Sequence, residues 1–174
     1  MVIPHRASAD EPEAAIWAAL AEVPDPEIPA ISVVDLGVIH RVELAADRST
    51  LRVELLPTFI GCPAIEIMRE AIGIRLGELG VAERVEVMLT FAEPWTSDRI
   101  TPAGREQLRS SGFSPPPHLR ELGQLGELPT LTVVPCPYCG SRQTTLENSF
   151  GPTLCRAIYH CAGCRQPFEA FKPI

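Results

Sequence analysis

The sequence lacks most of the signals that would assign a function at once. No apolar run approaches the length needed to cross a bilayer. The start, MVIPHRASADEPEAA, has no apolar core of a secretory signal, so a soluble, cytoplasmic protein is expected. Basic residues are in deficit: 15 Lys and Arg stand against 22 Asp and Glu, for a net charge of −7. An acidic chain repels phosphate backbones, so nucleic acid is not an expected partner, and neither is a membrane. There is no Glu-x-x-His pair for a di-iron bundle and no Gly-rich dinucleotide fingerprint. Four histidines stand singly at 5, 40, 118 and 160. No repeat recurs at solenoid periods. These absences agree with a non-catalytic role.

Cysteine is scarce over most of the chain and concentrated at its end. The first 135 residues hold one, Cys62; five more lie between 136 and 164. A chain of 174 residues accommodates one ordinary domain and a small appendage. The cysteine asymmetry therefore suggests two modules. In a reducing compartment, clustered cysteines bind metal more often than they pair as disulfides.

Residues 11–22, EPEAAIWAALAE, read as a helix with Ile16 and Leu20 on one face, stopped by Pro24, Pro26 and Pro29. VIHRVEL (38–44) and LRVELL (51–56) alternate as strands around the turn AADRST, which predicts an antiparallel hairpin. From Pro63, the residues Ile65, Met68, Ile72, Leu76 and Leu79 recur at helical spacing up to Gly80. VEVMLTF follows as a strand with Val85, Val87, Leu89 and Phe91 on one face. Thr101 and Pro102 start a short helix that ends before Gly112. The order α-β-β-α-β-α predicts an α/β (α+β) domain over 10–113, a small open mixed sheet with helices packed on it. SPPPHLRELGQLGELP (114–129) reads as a Pro-rich linker, and 130–174 as a small metal-binding module.

That module carries CPYC (136–139) and CAGC (161–164), separated by 21 residues. Each CxxC is a tight knuckle presenting two thiolates, and two knuckles complete a tetrahedron. So short a segment cannot bury an adequate core unaided, so the metal would do the folding. A structural zinc on Cys136, Cys139, Cys161 and Cys164 is the expectation, ahead of an iron–sulfur cluster or a redox dithiol. Cys155 falls outside both pairs and reads as a small buried residue. His160 reads as a neighbour of the site, because four thiolates already complete it.

Cys62, in TFIGCPA, poses a separate problem. If Pro63 is the first helical residue, Cys62 is the N-cap, where free N–H groups and the helix dipole favour a thiolate. Gly61 would let backbone approach a ligand, and Thr58 could donate a hydroxyl hydrogen bond to it. On position alone, a reactive or metal-binding thiol and a small core residue stand level. DPEIPAISVVDLG (25–37) adds Asp25, Glu27 and Asp35. With one thiolate they could make a transient iron site. By charge pattern alone Asp25 and Asp35 read rather as turn and cap residues, and Glu27 as a solvated charge.

DPEIPAISVVDLGVIHRVEL, TFIGCPA and EPWTSDRITPAGREQL together resemble the small α/β domain of iron–sulfur assembly factors. Bacterial sulfur-mobilisation accessory proteins and the eukaryotic cytosolic iron–sulfur targeting factor belong to that group. With the tail CPYCGS…FGPTLCRAIYHCAGCRQPFEAFK, the whole resembles the D-subunit family of the phenylacetyl-CoA epoxidase, the ring-hydroxylating complex of aerobic phenylacetate degradation. The resemblance covers roughly residues 12–173. It implies an accessory subunit that assists iron–sulfur cluster or iron-centre assembly, not the catalytic oxygenase. It maps the reactive cysteine onto Cys62, the DPE signature onto Asp25, Pro26 and Glu27, and the aspartate before the LG pair onto Asp35. The implied partners are the oxygenase and iron–sulfur reductase subunits, with room for a homo-oligomer. The implied cofactors are structural zinc and a transient iron ion or iron–sulfur cluster. A scaffold subunit held by zinc with an inert Cys62, and a thiol-dependent transferase, are the competing readings.

Overall fold

The computed structural model describes residues 10–59, 61–119 and 133–174. Helix α1 (Asp10–Ala21) buries Ile16 and Leu20, the face that their spacing predicts. Strands β1 (Ile39–Leu44) and β2 (Thr50–Leu55) form the expected antiparallel hairpin. Helix α2 (Ala64–Leu79) crosses over, and β3 (Arg84–Leu89) returns parallel to β2, giving the sheet order β1-β2-β3. Leu51, Val53 and Leu55 of the central strand are fully buried beneath α1 and α2. α2 buries Ala64, Ile65, Met68, Ile72 and Leu76, and Gly80 ends it in the left-handed conformation (φ 65°).

Phe91 departs from expectation. β3 stops at Leu89, and Phe91 lies beyond it, 70% exposed. Trp95 takes the interior place instead, and its indole N–H donates to the Leu36 carbonyl at 3.1 Å. The chain bends at Ala92 and Glu93 before it re-enters the core, so alternation fails beyond the strand. A 3₁₀ turn (Ser97–Arg99) leads into α3 (Pro102–Ser110), whose cap Thr101 accepts from the Gly104 N–H as predicted.

The second sheet runs β4-β7-β6-β5: β4 (Phe113–Ser114), β5 (Thr144–Asn148), β6 (Arg156–Cys161) and β7 (Pro167–Phe171). β5, β6 and β7 are antiparallel, and β4 joins the edge parallel to β7. The expected linker thus begins inside a strand of the tail's sheet; its residues 120–129 lie outside the described residues. The two halves also share one apolar cluster. Phe171 is buried in it, with Cys155, Phe113 and Ile174 against it, and the Trp95 and Phe171 rings lie 5.9 Å apart. The Ser97 N–H donates to the Ile174 carbonyl at 3.0 Å. The tail keeps a small core of its own around Val134, Cys136, Cys161, Phe168 and Ala170. Among the described residues, no helix is long and apolar enough to cross a membrane.

Candidate metal centre and thiol cavity

Each CxxC folds as a knuckle closed by the residue four places after its first cysteine. The Gly140 N–H donates to the Cys136 carbonyl at 2.9 Å, and the Arg165 N–H to the Cys161 carbonyl at 2.8 Å. Both closing residues are left-handed, Gly140 at φ 71° and Arg165 at φ 60°. Only the glycine announces this in sequence. The knuckles bring the Sγ atoms of Cys136, Cys139, Cys161 and Cys164 within 4.8 Å of one another. Cys136 and Cys164 are 3.7 Å apart, Cys139 and Cys161 3.6 Å. A tetrahedron of thiolates about 2.3 Å from a central ion has edges of about 3.8 Å, so the donor set fits one metal ion. The Cys164 N–H, ahead of other groups, draws the Cys161 thiol down to about 6, while desolvation pushes Cys164 up to about 12. Cys161 therefore favours the charged form, while Cys164 resists it. His160 stands outside the set, as expected.

The expected sites before α2 separate into a cavity and its scaffold. A cavity of ≈ 240 Å³ is lined by Glu27, Thr58 and Cys62 from the first module and by Thr153, Leu154 and Cys155 from the tail. Cys62 is half-buried, and Thr58 is buried beside it. Cys62 is not itself the helix cap. Pro63 occupies the cap position with helical angles (φ −67°, ψ −26°), and α2 begins at Ala64. The Cys62 carbonyl accepts from the Ile65 N–H at 3.3 Å, a tight 3₁₀-like first turn that sets the thiol one residue ahead of the cap. Gly61 is needed for its left-handed angle (φ 81°) and not for close approach, since a Cβ there would meet open space.

Asp25 and Asp35 do not line the cavity. Asp25 Oδ1 accepts from the Glu27 and Ile28 N–H groups, both at 2.8 Å, an Asx turn that presents Glu27. Asp35 Oδ1 accepts from Thr101 Oγ1 at 2.6 Å, and Oδ2 from Ser32 Oγ at 3.0 Å and Gln107 Nε2 at 3.3 Å. It ties the loop to α3. Sequence reasoning missed the tail's contribution. Arg156, only 6% exposed, pairs with Glu27 at 3.5 Å and Glu169 at 2.9 Å, and its Nε donates to Thr153 Oγ1 at 2.8 Å. Thr153 Oγ1 also lies 3.1 Å from Cys155 Sγ. Burial pushes the Cys155 thiol up, while Thr153 and the Arg156 charge pull against that. The one sequence signal was that Cys155 belonged to neither CxxC.

Two families match successive parts of the chain: the description "Iron-sulfur cluster assembly protein" covers residues 13–89, and "PaaD zinc beta ribbon domain" covers 124–172. An Escherichia coli (strain K12) protein, provisionally named as the D-subunit of 1,2-phenylacetyl-CoA epoxidase, is 40% identical over 159 residues, 91% of this chain and 92% of that protein. The chain belongs to this epoxidase D-subunit family. The Fe-S protein maturation auxiliary factor YitW of Bacillus subtilis (strain 168) is 30% identical over 86 residues, 49% of this chain and 82% of that factor. The crystal structure of a domain of unknown function, DUF59, from Bacillus anthracis superposes with a TM-score of 0.51 at 24% identity, covering 55% of this chain and 90% of that one. That likeness is one of fold.

Proposed function

We propose that this member of the D-subunit family is an accessory component of a phenylacetyl-CoA epoxidase system in aerobic phenylacetate degradation. In this reading it assists iron–sulfur cluster or iron-centre assembly in its partners, the oxygenase and iron–sulfur reductase subunits. The observation that carries the reading is the placement of Cys62: half-exposed on an open cavity beside Glu27 and Thr58, and not sealed in the core. A thiolate there offers a soft donor to an incoming iron ion or cluster, and Glu27 a hard one. Asp25 holds Glu27 in place, and Asp35 anchors the loop that carries both. Cys136, Cys139, Cys161 and Cys164 hold zinc, which supplies a redox-inert tetrahedral crosslink and leaves no position open for chemistry.

The test compares oxygenase and reductase components produced in cells with and without this chain. Iron and acid-labile sulfide should fall without it, and a Cys62→Ser form should fold normally yet fail to restore them. A hydroxyl stays protonated near neutral pH and is a poor ligand for soft metals. Fully loaded partners in cells lacking the chain would overturn the reading. A second reading, a non-catalytic docking component, is favoured by the shared core that joins the zinc module to the domain. It predicts full loading with Cys62→Ser but failure when the tail is removed.

A further inference from the structure

We propose that Cys155 and Cys62 together form a two-thiol site for a thiophilic transition-metal ion, shared between the halves of the molecule and distinct from the four-cysteine cluster. The inference deepens the function proposed above and rests on it only for the identity of the cargo.

Both cysteines line the same ≈ 240 Å³ cavity, one from the segment before α2 and one from the segment before β6. Both pack against the same apolar cluster. They sit close enough that charge on Cys62 opposes ionisation of Cys155. Two sulfurs that repel each other as thiolates are what a cation between them would relieve. Glu27 adds a carboxylate to the same wall, and Thr153 a hydroxyl against the Cys155 sulfur. The buried Arg156 supplies positive charge beside Cys155, but two carboxylates already engage it. Phe59, Phe150 and Leu154, all exposed, form an apolar rim.

The chemistry of this set differs from that of the knuckles. Four thiolates close a tetrahedron and retain their ion. Two thiolates and a carboxylate leave positions open, which suits an ion that arrives and leaves. Among the described residues, only the four knuckle cysteines stand pre-assembled at metal-ligand distance. Cys62, Cys155 and Glu27 are not drawn together at that distance, so an ion would have to gather them. Each thiol gives up its proton on binding, so uptake strengthens as pH rises.

The test uses the full chain, zinc-loaded and kept anaerobic, titrated with Co²⁺, whose thiolate charge-transfer bands report sulfur ligation. Wild type should bind Co²⁺ beyond its zinc without losing zinc. Cys62→Ser and Cys155→Ser should each weaken that uptake at least about tenfold, since even outer partners of a metal site are worth about 10–100-fold. In parallel, the thiol-bridging reagent dibromobimane should link Cys62 to Cys155 in native wild type, and Co²⁺ should block the link. If Cys155→Ser binds Co²⁺ like wild type, the shared site is overturned while the role of Cys62 in maturation stands. If wild type takes up no Co²⁺ beyond exchange with its zinc, the shared site is overturned too, and partner loading in cells then judges the maturation role separately. Should Cys155→Ser lose its zinc or unfold, the bridging reaction decides: a Cys62–Cys155 link supports the site, and its absence overturns it.

Discussion

Arg156 sets the electrostatics of the cavity from a buried position between Glu27 and Glu169. Its guanidinium also lies 5.6 Å from the centre of the Phe113 ring, so it is packed as well as paired. Arg156→Ala should cost about 2 kcal/mol in chemical denaturation, the scale of a lost hydrogen bond to a charged group. Arg156→Lys should recover only part of that, because an ammonium lacks the planar fork. The two cavity thiols should differ in reactivity. Burial raises the Cys155 thiol. In zinc-loaded native protein, limited alkylation followed by peptide mass analysis should label Cys62 before Cys155. Labelling of Cys62 only after denaturation would return it to the core.

Among the elements, the loop between α1 and β1 depends on contacts with α3 and the turn before it. Thr101 both caps α3 and donates to Asp35. Thr101→Ala should therefore cost about 1 to 2 kcal/mol, and Thr101→Ser far less. Gly37 has φ 72°, and a Cβ there would stand 2.4 Å from the Arg99 carbonyl oxygen. Gly37→Ala should destabilise by more than about 1 kcal/mol, because neither the angle nor the backbone contact can relax cheaply. The segment after β4 is tied back by Asp98, which accepts from the Leu119 N–H at 3.1 Å and lies 3.0 Å from His118 Nδ1. Burial works against the Asp98 charge, but Leu119, His118 and Arg105 outweigh it and hold the carboxyl below its usual range. A lowered pKa stabilises above the unfolded value and is lost as pH falls through the folded one. Protection of the Leu119 amide should therefore fall beyond the intrinsic trend as pH drops below about 4, and Asp98→Asn should remove that dependence.

At the scale of the whole molecule, the shared core couples metal binding to the α/β domain. Phe171 lies on β7 yet packs on Trp95. Phe171→Ala should cost about 3–5 kcal/mol and loosen both halves. Stripping the metal with a chelator should unfold the tail, since its own core is small, and shift Trp95 fluorescence as Phe171 withdraws. Cys136→Ser should act likewise and lower the unfolding midpoint of the domain. An unchanged midpoint would mean that the domain stands without its tail.

The chain's local patterns determined a good deal by themselves. Period-2 and period-3.6 spacing marked α1, α2 and β1 to β3, because one buried face dictates where apolar residues fall, and Thr101 and Pro102 marked the start of α3. The doubled CxxC named the four cluster thiols, because a knuckle is a local structure. Local pattern alone left Cys62 level with a core residue and Glu27 as a solvated charge; the family resemblance singled them out. That Cys62 and Cys155 line one cavity was decided by tertiary structure, since 93 positions in sequence separate them. So was the division between Glu27 on the cavity and Asp25 and Asp35 in its scaffold. A carboxylate in a Pro-rich loop looks the same in sequence whether it faces a cavity or caps a turn. Contacts within the domain engage Asp25 and Asp35, while docking of the tail sets Arg156 beside Glu27.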